Sequence, residues 1–133
     1  MVQGVLVTGN SALIRSAIEH DLGVEFSVVQ AGNSREALFR LEHTAGLCAV
    51  VIDCEQGTEE LVIQFLHDLG RQAPHIVRVA VAERPGAGLL AESGVVHSVV
   101  TKPWNRGDVL KSVLRHLEQS VVAKTSGRVK PHE

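Results

Sequence analysis

The sequence predicts an α/β domain built on a doubly wound sheet of five parallel strands. Three observations lead there. Short β-branched runs recur along the 133 residues, separated by longer stretches of helical spacing. The runs are apolar nearly throughout, as in Cys48-Ala49-Val50-Val51-Ile52, the pattern of strands covered by helices on both faces. Right-handed crossovers then restrict the chain to doubly wound arrangements.

Taken in order, the first strand is Val5–Thr8. Ser11 can cap a helix over Ala12–Leu22, which Gly23 can end. A second strand, Phe26–Gln30, leads to Asn33, which with Glu36 three residues on makes a capping-box-like start to the helix Arg35–His43. Ala37, Leu38 and Leu41 are its expected buried stripe. The third strand is Leu47–Asp53. Gly57 then opens the helix Thr58–Gly70, whose apolar positions are Leu61, Phe65, Leu66 and Leu69. Ile76–Val81 is the fourth strand. Pro85–Ser93, with Gly86 and Gly88 near its start, reads as a short or mobile helix. The fifth strand is Val95–Val100. Asn105 is expected to cap a last helix, Arg106–Val121, with Val109, Val113, Leu114 and Leu117 on one face. Residues 1–122 form the expected domain, and residues 123–133 a flexible basic tail or the start of a linker.

Composition excludes several functions. Aromatic residues are 3% of the chain, namely Phe26, Phe39, Phe65 and Trp104, with no tyrosine. A base-stacking module needs more such platforms. Thirteen basic against fifteen acidic residues leave −2, so there is no basic footprint for nucleic acid. Residues 123–133 carry Lys124, Arg128 and Lys130 against Glu133, a net +2, which leaves −4 on residues 1–122. No apolar run approaches the roughly 20 residues that span a bilayer, so no membrane association is expected. The start MVQGVLV lacks the basic and apolar regions of a signal peptide. Cys48 and Cys54, on one strand, are roughly 20 Å apart and cannot pair with each other. Unpaired thiols fit a reducing cytoplasm, the expected location.

In doubly wound sheets, chemistry gathers at the carboxyl ends of the strands. The informative residues are therefore Thr8-Gly9-Asn10, Asp53, Ala82-Glu83 and Lys102-Pro103-Trp104. Asp53 ends an apolar strand, an expensive place for a carboxylate without partners. Taken alone it also fits a turn or helix-capping aspartate. Lys102 precedes Pro103, which fixes the loop and aims the lysine across the strand tops; a lone lysine there also fits a solvated surface position.

Together these residues resemble the receiver domains of bacterial two-component response regulators, over about residues 3–120. Thr101-Lys102-Pro103-Trp104 is similar to the Lys-Pro-aromatic signature that closes the receiver phosphorylation site. The tryptophan form, followed by Asn105 and Asp108, resembles receivers joined to HD-GYP-type outputs. Val50-Val51-Ile52-Asp53 resembles the strand ending in the phosphoacceptor, and Pro74-His75-Ile76-Val77-Arg78-Val79 the fourth strand. The resemblance implies a flavodoxin-like (βα)5 fold with strand order 2-1-3-4-5. It makes Asp53 the phosphoacceptor position and Lys102 the residue that pairs with phosphate, with Pro103 and Trp104 shaping the loop.

The departures are specific. The acidic pair that holds Mg²⁺ in the family falls on Thr8 and Gly9. The hydroxyl residue ending the fourth strand falls on Ala82, and the aromatic switch residue on Val99. Phosphoryl transfer to a carboxylate depends on cationic neutralisation, and Mg²⁺ needs oxygen ligands, usually including carboxylates. The expectation is a degenerate receiver: a non-enzymatic signalling module working through protein contacts, with weak or absent Mg²⁺-dependent phosphorylation and no cofactor. Implied partners are a histidine kinase, a phosphotransferase or an effector domain, and a second copy through the face of the fourth helix, fifth strand and fifth helix, where His97 and Ser98 lie. One alternative is a conventional phosphoacceptor whose Mg²⁺ ligands have moved to Asn10, Glu55 or Glu83 beside Asp53. Another is a small nucleotide- or flavin-binding protein. Against it, Ala12, Leu13 and Ile14 stand where a dinucleotide turn needs glycine. The seven histidines show no HxxxH or HExxH spacing, and no GxSxG elbow occurs.

Overall fold

A computed structural model describes residues 3–129. Its elements are β1 (Gly4–Thr8), α1 (Ala12–Leu22), β2 (Ser27–Ala31), α2 (Ser34–His43), β3 (Leu47–Cys54), α3 (Glu59–Gln72), β4 (Val77–Ala82), α4 (Arg84–Ser93), β5 (Ser98–Thr101) and α5 (Asp108–Val129). The strands form one parallel sheet in the order β2-β1-β3-β4-β5, as the sequence led us to expect.

Strand alternation divides the core in two. Val5, Val7, Val51, Val79 and Val81 point to one face, where Ile18 and Leu22 of α1 and Val109 and Val113 of α5 cover them. Leu6, Val50, Ile52, Ala80 and Ala82 point to the other, beneath Ala37 of α2, Phe65 and Leu66 of α3 and Leu90 of α4. With helices on both faces, a strand has no polar side to show, so β1 is buried along its whole length.

Several local expectations are corrected. In α3 the inward stripe is Val62, Phe65, Leu66 and Leu69, while Leu61 is 75% exposed. In α2 only Ala37 is buried; Leu38 is exposed and Leu41 half-buried. Helix α4 is a full ten residues, because Pro85 sits in its first turn, where no N–H is needed, and Gly94 ends it at φ +77°. Helix α5 starts at Asp108 rather than Arg106, since Gly107 at φ +92° is outside helical geometry. The same helix continues through the boundary placed after residue 122, as far as Val129; residues 130–133 of the expected tail lie outside the described residues.

The expected caps of α1 and α2 are present. Ser11 Oγ accepts the Ile14 N–H at 3.2 Å, and Asn33 Oδ1 accepts the Glu36 N–H at 2.8 Å. Glu36 returns to accept the Gly32 N–H at 2.8 Å. Cys48 and Cys54 are free thiols on β3. Among the described residues no helix is long and apolar enough to cross a membrane.

Candidate functional site

The site forms where the tops of β1, β3 and β5 meet. Asp53 lies one residue before the end of β3, and Lys102 follows β5 directly. The Lys102 N–H donates to Ala82 O at 2.9 Å, which extends the β4–β5 ladder and fixes the lysine backbone. From there the side chain reaches across β4, and its Nζ stands 2.5 Å from Asp53 Oδ1. The Lys102–Pro103 peptide is cis. Asp53's side chain is 0% exposed and that of Lys102 17%. Apart from this contact with the Lys102 ammonium, neither carboxylate oxygen has a hydrogen-bond partner among the described residues. For a buried anion, that is incomplete compensation.

Thr8 is buried at the end of β1. Gly9 follows at φ +148°, its Cα packed on Asp53. Its carbonyl accepts from Arg15 Nη1 at 2.5 Å; Arg15 Nε in turn donates to Gln30 Oε1 at 3.0 Å. Gln30 Nε2 donates to Glu19 Oε1 at 2.5 Å. This chain of bonds from α1 and β2 holds the Gly9 backbone against the aspartate. Asn10 Nδ2 donates to Glu55 Oε1 at 2.9 Å and so closes one side of the site. A cavity of about 170 Å³ opens beside Asp53 between the β1–α1 loop and α3, with Asn10, Glu55 and Thr58 on its polar side and Leu61, Val62 and Phe65 on its apolar side.

The remaining residues singled out from sequence fall into place around it. Ala82 ends β4 and is buried. Val99 pairs with Ala80 and packs into the core under α4. Pro103 is exposed, and Trp104 packs against the α1–α5 side of the core. Glu83 is exposed at the start of α4, beside Lys102 and Trp104 on a separate surface depression.

The residues present do not fit the Mg²⁺ that the fold family implies. Asp53 offers an unbonded buried oxygen, but Gly9 supplies no carboxylate and leaves no room for one. Glu55 is already engaged by Asn10. Among the described residues no three His, Cys, Asp or Glu gather as a metal-binding group. Cys54, next to Asp53, is no activated nucleophile either. Burial pushes its thiol up; the Thr58 hydrogen bond, the next largest cause, lowers it, the nearby Glu59 and Asp53 carboxylates raise it further, and Lys102 lowers it least.

Two features escaped the sequence reading. Asp21, 7% exposed near the end of α1, accepts the Gly107 N–H at 2.6 Å and the Val109 N–H at 3.1 Å, and so caps α5 from another element. A signal existed: Asp21 sits three residues after Ile18, on the buried stripe of α1. The Arg15–Gln30–Glu19 chain had none, because its members are ordinary surface types whose contacts depend on the fold.

No protein-family model matches the chain, and no curated protein matches its sequence. Solved structures do resemble it. NtrX from Brucella abortus in complex with ADP superimposes with a TM-score of 0.81 at 19% identity, over 98% of this chain and 29% of that one. A response regulator receiver domain protein (CheY-like) from Methanospirillum hungatei JF-1 gives 0.76 at 16% identity, over 92% and 99%. A response regulator receiver modulated diguanylate cyclase from Pelobacter carbinolicus gives 0.73 at 20% identity, over 93% and 99%. At such identities the likeness is one of fold. The chain has the flavodoxin-like fold of response regulator receiver domains.

Proposed function

We propose that the chain is a degenerate receiver, a signalling module of a two-component phosphorelay that works through protein–protein contacts. Asp53 keeps the phosphoacceptor position, and Mg²⁺-dependent phosphorylation of it is weak or absent. The observation that carries this reading is the buried Asp53–Lys102 pair spanning the tops of β3 and β5 beside a glycine with no space for a metal-binding carboxylate. The pair is what a phosphoacceptor site requires. The glycine removes the cation that would neutralise an incoming phosphoryl group. Ala82 has no hydroxyl to bond a phosphate, and Val99 no ring to reorient. The partners that fit are a histidine kinase, a phosphotransferase or an effector domain; a second copy would dock through α4, β5 and α5, where Leu89 is exposed on α4.

Treatment with acetyl phosphate and Mg²⁺, followed by intact-mass measurement, tests the reading. The expected result is little or no adduct. A stoichiometric gain of about 80 Da, one phosphoryl group, that disappears in Asp53→Asn would overturn it. That outcome would favour the second reading, in which Asn10 and Glu55 serve as relocated metal ligands. Their mutual hydrogen bond already places them side by side at the mouth of the site.

A further inference from the structure

We propose that a cavity at the amino ends of the strands binds an amphiphilic amine, a small molecule with an apolar body and a cationic head. The cavity has a volume of about 430 Å³ and lies between α2 and α3, at the end of the sheet opposite Asp53. Small-molecule sites commonly hold about 300–1,000 Å³ and are mostly apolar with a few polar groups. The walls here are Leu38 and Leu41 of α2, Leu47 of β3, Leu69 of α3, Ala73 and Ile76. Leu69 and Ile76 are buried, whereas Leu41, Leu47 and Ala73 are half-buried and Leu38 is exposed. Apolar side chains that face a hollow rather than one another offer surface for an apolar body to cover.

The electrostatics of the mouth select the head group. Glu42 stands there exposed, and none of the ion pairs among the described residues uses it. The lining holds no lysine or arginine, and its other ionisable side chain is His75. The last turns of α2 and α3 both end at the cavity, with Leu41 and Glu42 from one and Leu69 and Gln72 from the other. Helix carbonyl ends carry partial negative charge, and α2 stops at Thr44 without a capping backbone N–H bond. The basic side chains of those turns do not cancel this charge. Arg40 pairs with Glu36, His43 Nδ1 contacts Phe39 O, and Arg71 is outside the lining. One carboxylate and two carbonyl ends favour a cation and oppose an anion. The site needs neither phosphorylation nor the receiver reading, so its failure leaves the acetyl phosphate result standing.

The test titrates ¹⁵N-labelled full-length chain with octylamine, octanoate and butylamine at equal ionic strength and about pH 8, above the usual imidazole range. Octylamine should give saturable shifts at the Gly46, Leu47, Ala73 and Ile76 amides, with half-saturation at about 1 mM. Octanoate reverses the head charge and butylamine shortens the body, so each should bind at least about tenfold more weakly. Glu42→Gln, a change at an exposed position, should weaken octylamine binding about fivefold. Ala73→Leu, which fills the cavity, should abolish it; if that variant fails to fold, Glu42→Gln decides. The proposal is overturned if octylamine does not saturate, if octanoate or butylamine binds as tightly, or if Glu42→Gln or a folded Ala73→Leu binds unchanged. It is also overturned if the same amides shift with protein concentration alone, which would put a second copy of the chain in the cavity.

Discussion

A Cβ on residue 9 would stand 2.8 Å from the Cβ of Asp53 and 3.2 Å from its carbonyl oxygen. Gly9 therefore does more than omit a metal ligand, because it lets the β1–α1 loop close onto the aspartate. Its φ of +148° is one that other residues adopt only under strain. Reinstating an acidic residue by Gly9→Asp should not recover a metal site. The expected result is a loss of about 2–4 kcal/mol in urea unfolding, from overpacking and backbone strain, with no added stability on Mg²⁺ titration. Unchanged stability together with a Mg²⁺-dependent rise in the urea midpoint would count against this account.

Lys102→Met should be more damaging than a surface lysine change. It leaves Asp53 as a buried carboxylate with neither hydrogen bond nor counter-charge. Removing one partner of a buried ion pair costs about 3–5 kcal/mol, whereas replacing both is often nearly neutral. The double variant Asp53→Asn/Lys102→Met should recover most of the loss. A double-mutant cycle by chemical denaturation measures this, and additive losses would show that the pair is not coupled.

The strands were legible because burial on both faces makes them uniformly apolar, a pattern that survives in sequence. The helix starts at Ser11 and Asn33 were legible because the cap and the N–H that it accepts lie within three residues. The face that α3 buries was not. Leu61 and Val62 are adjacent and both apolar, and only the position of the sheet decides which turns inward. The pairing of Asp53 with Lys102 could be suspected from their places at two strand ends. The burial of Asp53, its unbonded oxygens and its contact with Gly9 arise from residues more than forty positions apart, which no local pattern encodes.

Asp21 offers a test of such a long-range contact. Its carboxylate accepts two N–H groups at the first turn of α5, which has no partner for them within the helix. It also places a negative charge at the positive end of that helix. Asp21→Ala should cost about 2 kcal/mol. Hydrogen exchange should accelerate first at Gly107 and Val109, with little change at Val50 and Val51 in β3. Equal acceleration across the sheet would mean that the carboxylate stabilises the whole domain rather than the α5 terminus.

His97 should impose a pH dependence on stability. It lies on the stretch entering β5, with its Nδ1 accepting the Arg78 N–H at 2.9 Å and its ring 5.7 Å from that of His116. Burial lowers its pKa from the usual 6.5, and the Arg78 and His116 charges lower it further. The folded state thus binds a proton less readily than the unfolded one. Stability from the neutral ring is complete above about pH 6.5 and declines as pH falls from there towards the lower folded value. Protonation also puts a hydrogen on Nδ1, which can then no longer accept the Arg78 N–H. The urea midpoint should accordingly fall between about pH 7 and pH 5.5, and His97→Asn should flatten that part of the profile. His116→Asn should leave most of the slope in place, because His116 ranks behind burial and Arg78 among the causes. If the slope instead vanishes in His116→Asn and persists in His97→Asn, the proton-sensitive group is on α5 rather than at the edge of the sheet.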